Sequence, residues 1–453
     1  MSKFEYDLAV LGSGPAGATA ASVAAKAGRK VAIMEVGAQG GDFLNGYDVP
    51  SQAAFTIAKS FYEAKKGAKW GLSSGSLRYN FPTLINFTRS AVRKASPFFG
   101  AKFLESAGVE VIKGRAHFLS PHEVSVGSRV VKAKNFVIAT GAELKNGEIK
   151  NLENVRVLTP KSAFEIIRPP KSLFVIGAGA TGVELAQYFA TLGTQVLLSD
   201  IAARPLPKED EEVGQFVDEL FNKRFGIKVL TRTRVVAVEK DAISKKVILI
   251  RGGQEKTVRV DEVLLATSKA PATDIGLENA GVKYDNHGIL VDQALRTTAK
   301  NIFAAGDVLG GNSSATRAVL EGKTAAQNLV YRSKVAVDLA GMPTITNILP
   351  KIASVGLKED DCLKADKKIK KALVAFSDVV QSVTADDVNG FVKIIADRSG
   401  KLLGGTIMAP DADLMVAELS LAIKNGMSAE ELAAAPHAVE SWSEAVRVAG
   451  LRL

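Results

Sequence analysis

Tyr6-Asp7-Leu8-Ala9-Val10-Leu11-Gly12-Ser13-Gly14-Pro15-Ala16-Gly17 decides the fold. A short apolar run closes on three glycines spaced GxGxxG, and an alanine-rich stretch follows to Ala27, with Gly28 as its stop. That order reads as a buried strand, a tight turn and a helix, after which a second strand over 30–34 ends at Glu35. The first glycine permits the turn, the second lets the backbone approach a pyrophosphate, and the third lets helix and strand pack closely. Phosphates would rest on amides at the helix N-terminus, where the macrodipole favours negative charge. The carboxylate would accept hydrogen bonds from a ribose diol and repel a 2′-phosphate.

A lone fingerprint of this kind is weak, because a glycine turn also serves α/β units that bind nothing. Here it occurs twice. Residues 172–176 again read as a strand, followed by Gly177-Ala178-Gly179-Ala180-Thr181-Gly182, a helix to about Thr191, Gly193, and a strand over 195–198 that reaches Asp200. In both copies the acid stands 18 residues beyond the third glycine. Two dinucleotides on one chain imply an electron relay. Around these units, 134–140 (KNFVIAT) is a strand closing on Gly141, and 301–305 (NIFAA) is another closing on Gly306-Asp307. Pro169-Pro170 marks the entry to the second unit. Gly341-Met342-Pro343 opens a third region, in which strands at 372–376, 390–396 and 402–408 precede helices at 413–424 and 429–435, an α+β order.

Composition bounds the answer. At about 150 residues per domain, 453 residues suggest three domains. Apolar residues at 47% and charged residues at 23% exclude long disorder, collagen and a coiled-coil rod. The single cysteine, Cys362, allows no intrachain disulfide and reads as a small packed residue. A net charge of +10 could favour an anionic partner, although a solvated basic surface is the plainer reading. The densest basic run, 364–371 (KADKKIKK), lacks the interleaved aromatics of a nucleic-acid groove, so no nucleic-acid partner is expected, and no metal site either. No stretch of about 18 apolar residues could span a bilayer. The N-terminus runs straight into a strand rather than a signal peptide, and a cytoplasmic protein is expected.

With these residues in place the chain resembles the flavoprotein family of dihydrolipoamide dehydrogenase, glutathione reductase and mercuric reductase, over nearly its whole length. The resemblance implies an α/β fold: two Rossmann-like dinucleotide-binding domains with a C-terminal α+β dimerisation domain, and hence a homodimer. The expected division is an FAD-binding domain over 1–150, an NAD(P)-binding domain over 151–270, a return segment of the FAD-binding domain over 271–340, and the dimerisation domain over 341–453. Gly12, Gly14, Gly17 and Glu35 match the FAD fingerprint, Ala139-Thr140-Gly141 resembles the family's ATG motif, and Ala305-Gly306-Asp307 matches the motif whose aspartate holds the ribityl chain. Gly177, Gly179, Gly182 and Asp200 match the nicotinamide-nucleotide unit, and Gly390-Phe391-Val392-Lys393 with Gly404-Gly405 resembles the dimer-domain signature.

Departures from the pattern carry the functional expectation. The family's disulfide motif, GGTCxNxGCxPSK, aligns with Gly40 to Gln52 and places Phe43 and Asp48 where the two cysteines would be. Phenylalanine cannot be a thiolate, so thiol–disulfide interchange is not expected. The motif's lysine, which in the family lies near flavin N5 and pairs with a glutamate, is replaced by Gln52, and the glutamate position is Glu184. A neutral amide stabilises developing negative charge less well than an ammonium. In the acid/base motif HxHPTxSE, aligned on His437 to Glu444, Val439 stands where the catalytic histidine belongs, and the surviving His437 reads as structural. Ala180 replaces a bulky gate over the nicotinamide pocket, which either opens the pocket or is merely tolerated there.

The resulting expectation is an FAD-dependent NAD(P)H oxidoreductase that prefers NADH. Hydride would pass from NADH to the flavin and then to a small non-disulfide acceptor: a quinone, another nucleotide or a similar molecule. Asp48 would be a proton donor if burial raised its pKa, and Phe43 would flank the acceptor. A soluble transhydrogenase and a non-catalytic flavin-binding or sensing subunit are the alternatives. Productive exchange with both nucleotides marks the first, and a flavin that NADH leaves oxidised marks the second.

Overall fold

The computed structural model describes residues 4–72, 77–145, 147–311 and 314–453. Its first sheet has a parallel core in the order Glu110–Lys113, Val31–Glu35, Tyr6–Leu11, Arg129–Ile138, and Ile302–Ala304 adds to the far side of Arg129–Ile138. Leu8 pairs with Val31 on one side and Asn135 on the other. Leu8, Ala9 and Val10 are fully buried. An unbroken apolar run of this kind, without alternation, is what a parallel strand covered on both faces needs. The helix Pro15–Lys26 lies against Ala315–Tyr331, and the two backbones approach so closely that a Cβ on Gly322 would stand 2.2 Å from the Ala16 carbonyl oxygen.

The second unit repeats the plan with parallel strands in the order Lys228–Leu230, Gln195–Ser199, Ser172–Ile176, Glu262–Leu265, and the helix Ala180–Thr191 follows its glycine turn. An antiparallel sheet that the sequence reading did not anticipate, Thr233–Asp241, Ser244–Arg251 and Gln254–Val260, is inserted before its last strand. Val238, Val247 and Leu249 of that insert join Phe174 and Val263 in one core. The third region is a five-stranded antiparallel sheet in the order Pro343–Thr346, Lys351–Gly356, Leu402–Ala409, Phe391–Asp397, Ile369–Ala375, and its first two strands were also unanticipated. Helices Ala412–Lys424 and Glu444–Leu451 cover it.

Lys393, on the strand Phe391–Asp397, joins the third region to the start of the helix Glu211–Leu220 of the second unit. Its ammonium is buried, 2.9 Å from Glu212, 2.8 Å from Glu359 and 3.5 Å from Asp210. Removing one partner would strand a buried charge, so the cluster fixes the third sheet on the second unit. Among the described residues no helix is long and apolar enough to cross a membrane, and no group of side chains could hold a metal ion.

Candidate active site

Both glycine turns are built to one plan. Gly12 has φ +95°, and a Cβ there would lie 2.3 Å from the Ala139 carbonyl oxygen; Gly177 has φ +104° and would meet the Ala266 oxygen at 2.4 Å. A Cβ on Gly17 would fall 1.9 Å from the Gly12 oxygen, and one on Gly182 the same distance from the Gly177 oxygen. The middle glycines behave differently. An added Cβ on Gly14 or Gly179 meets no protein atom within 4 Å, so each faces open space at the N-terminus of its helix. A side chain would fill that space, and a pyrophosphate resting on bare backbone fits it.

Each acid is pinned to its own turn. Glu35 accepts from the Ser13 backbone N–H at 2.8 Å, the Ser13 hydroxyl at 2.7 Å and the Gly37 N–H at 2.8 Å. Asp200 accepts from Ala178 N–H at 2.6 Å and Ala202 N–H at 2.8 Å. A carboxylate offers about four acceptor sites, so both keep capacity for a ribose diol. Thr140 and Gly141 lie where the chain crosses between the two units, the Thr140 hydroxyl donating to the Ala272 carbonyl at 2.8 Å and Gly141 accepting from Ala272 N–H at 3.0 Å. Gly306 precedes Asp307 with φ +83°, and its N–H is held at 2.7 Å by the buried Glu321, whose carboxyl burial pushes up from the usual range.

Between the cradles lies the rewritten segment. The helix Asp48–Lys66 begins at its end, so Asp48, Ser51 and Gln52 share its first turn. Phe43 packs edge-on against Phe99 with ring centroids 5.1 Å apart, and Phe99 leans on Phe103. Asp48 is exposed, yet enough protein surrounds it to desolvate its carboxyl. That crowding pushes its pKa up to about 6, with Lys269 pulling it down and Asp307 and Asp42 adding to the rise.

Glu184, on the second dinucleotide helix, does not meet Gln52, which is exposed. It accepts from the Ser51 hydroxyl at 2.5 Å and the Asn347 backbone N–H at 2.6 Å. Burial carries its pKa up to about 7 despite those two donors, and the nearby charge of Asp48 contributes to the rise. Glu184 therefore joins the rewritten helix, the second unit and the third region at one point. Ser51, Asn347 and Lys269 were not singled out in the sequence. Ser51 and Asn347 act through long-range hydrogen bonds that leave no spacing pattern, and Lys269 is one of many lysines.

The hydrogen bonds of the C-terminal motif stay within its own region. His437 faces the Ala435 carbonyl at 2.7 Å and the Glu418 carboxylate, both of its own region, and Val439 is 57% exposed. Glu444 is bonded to Arg447 through Nε at 2.8 Å. Cys362 is buried, and burial pushes its thiol pKa up, as for an inert packed residue. Ala180 is exposed at the head of its helix.

Two glycine cradles of the dinucleotide type, linked by the Ser51–Glu184 hydrogen bond, with an aspartate behind a Gly306 turn, are the features of a flavin- and nicotinamide-dependent oxidoreductase. The family model described as pyridine nucleotide-disulphide oxidoreductase matches residues 6–322, and that for the family's dimerisation domain matches residues 342–449. The chain belongs to the pyridine nucleotide-disulphide oxidoreductase family, whose cofactors are FAD and NAD(P)H, and its dimerisation domain supports a homodimer. Dihydrolipoyl dehydrogenase of Geobacillus stearothermophilus is 33% identical over 450 residues, spanning 97% of this chain and 94% of the relative. A mercuric reductase of Bacillus cereus is 30% identical over 432 residues, covering 95% of this chain and 68% of the relative. Among solved structures, LpdA of Mycobacterium tuberculosis superposes with a TM-score of 0.88 at 24% identity, covering 98% of this chain and 99% of that one, a likeness of fold.

Proposed function

We propose that the chain passes hydride from NADH to FAD and then delivers electrons to a small acceptor that is not a disulfide. When bound, FAD supplies a ring that takes hydride from a nicotinamide and hands on two electrons. Gly12, Gly14 and Gly17 hold its pyrophosphate, Glu35 its adenosine ribose and Asp307 its ribityl chain. Gly177, Gly179 and Gly182 hold NADH, and Asp200 disfavours the 2′-phosphate of NADPH. The observation that carries the reading is Asp48. It occupies a cysteine position at the cleft, with a pKa near 6 that leaves a share of it protonated close to neutrality. It holds a proton for an acceptor that needs one, and Phe43, backed by Phe99, offers that acceptor an apolar wall. A planar quinone-type ring suits both features.

The test is an anaerobic titration of the purified protein followed by an acceptor screen. NADH bleaches the flavin, NADPH does so more slowly, a benzoquinone restores the colour, and lipoamide and glutathione disulfide do not. Rapid reoxidation by either disulfide overturns the reading, as does a colourless protein that takes up no added FAD. Reoxidation by NADP⁺ as fast as by quinone replaces it with transhydrogenation, and a flavin that NADH leaves oxidised replaces it with a binding role.

A further inference from the structure

We propose that Lys269 supplies the cation beside the flavin that Gln52 does not, acting as an electrostatic positioning residue for flavin reduction. The inference rests on the FAD-dependent reading above. Lys269 begins the short strand Lys269–Pro271, which pairs antiparallel with Ala142–Leu144, just past Thr140 and Gly141. The two lengths of chain that cross between the dinucleotide units therefore run side by side and deliver one lysine between the 40–52 segment and Asp307. Its ammonium stands 3.7 Å from the centroid of the Tyr47 ring, 3.5 Å from an Asp42 carboxylate oxygen and 3.9 Å from an Asp307 carboxylate oxygen. It also acts on Asp48. The side chain is 23% exposed.

Charge decides what that position does. Asp42 and Asp48, from one segment, and Asp307, from another, lie close enough that the charges of Asp42 and Asp307 act on Asp48, which in turn acts on Glu184. Such a set opposes the negative charge that a flavin acquires on reduction. Lys269 offsets it, and does so next to Asp307, the residue assigned to the ribityl chain. The face of Tyr47 holds the ammonium in place, a contact that needs no further carboxylate. Burial and the charges of Asp42 and Asp307 push the Tyr47 hydroxyl pKa upward, so the ring stays neutral under the lysine.

Three variants test this: Lys269→Met, Lys269→Arg, and Lys269→Met combined with Gln52→Lys. Flavin content is read from absorbance and the potential of the bound flavin by equilibration with a reference dye at pH 8. Lys269→Met is expected to shift the reduction equilibrium about tenfold toward the oxidised form, which is ~30 mV for a two-electron couple. Lys269→Arg stays close to the parent, and the added lysine at 52 recovers a substantial part of the loss. An unchanged potential in a flavin-loaded Lys269→Met protein overturns the proposal, as does an equal shift in Lys269→Arg, which would trace the effect to packing. If the Met variant sheds its flavin, Lys269→Gln in saturating FAD carries the same comparison. A parent protein that binds no FAD, or whose flavin NADH never reduces, instead sinks the functional reading.

Discussion

The 40–52 segment touches both dinucleotide units, Gly41 lying against Gly14 and Ser51 bonded to Glu184, yet it and the glycine cradles are constrained by different physics. At Gly17 and Gly182 a backbone oxygen would stand 1.9 Å from any Cβ, so the fold itself dictates the residue. At Phe43, Asp48 and Gln52 the neighbours are side chains and solvent, and many residues could be accommodated. Sterics therefore fix where the nucleotides lie, while the chemistry performed between them is written in side chains that the fold leaves open. That is how a chain can keep the architecture of disulfide reductases while carrying no cysteine pair.

The largest expected effect breaks the comparison at the cradle. Gly17→Ala forces the Pro15–Lys26 helix off its strand, and a loss of about 3 kcal/mol or more of stability is expected, together with loss of bound flavin. Gly14→Ala meets no protein atom, so the thermal midpoint should stay close to the parent while FAD retention after dialysis falls about tenfold, because the methyl occupies the space of the pyrophosphate. Thermal unfolding and flavin absorbance separate the two. A Gly14→Ala protein that keeps its flavin fully would show that the open face is not the cradle.

A smaller effect is expected at Asp48. Its pKa in the folded chain is raised to about 6 from an ordinary value of 3.8, so the folded state binds the proton more tightly than the unfolded chain does. Its contribution to stability is thus present at low pH and is lost as pH rises through about 6. Asp48→Asn should consequently raise the melting temperature at pH 8 and change it little at pH 4. The same substitution should slow quinone reduction about tenfold or more at pH 6 and remove the decline in rate between pH 5 and 7. A pH profile identical to that of the parent would take the proton-donor role away from Asp48.

Legibility in the sequence followed the same division. Both glycine turns and the Gly306-Asp307 turn could be read from glycine spacing, because at Gly12, Gly17, Gly177, Gly182 and Gly306 a positive φ or a facing backbone oxygen excludes a side chain. The insert over Thr233–Val260 and the strands Pro343–Thr346 and Lys351–Gly356 could not, since strands of mixed polarity in an antiparallel sheet lack an unbroken apolar run like that from Leu8 to Leu11. The partners of Glu184 were hidden for another reason. Ser51 and Asn347 are 133 and 163 residues away from it in the chain, and only the folded arrangement brings them together.

The smallest expected effect sharpens the comparison at Gln52. A lysine there would stand beside Ser51, which already donates to Glu184, and its ammonium would favour the ionised form of that carboxylate. With the Glu184 pKa at about 7, the parent carries a neutral carboxyl at pH 6 and a carboxylate at pH 8. At pH 6 the new lysine would draw Glu184 into ionising, so the pair stays neutral and little is gained. At pH 8 it would neutralise a charge already present, and the flavin would be reduced more easily. Stopped-flow mixing of Gln52→Lys with NADH should therefore show a gain of about threefold at pH 8 that fades by pH 6. A gain equal at both values would mean that residue 52 acts on the ring without passing through Glu184; no gain at either would place its side chain outside the cleft's field.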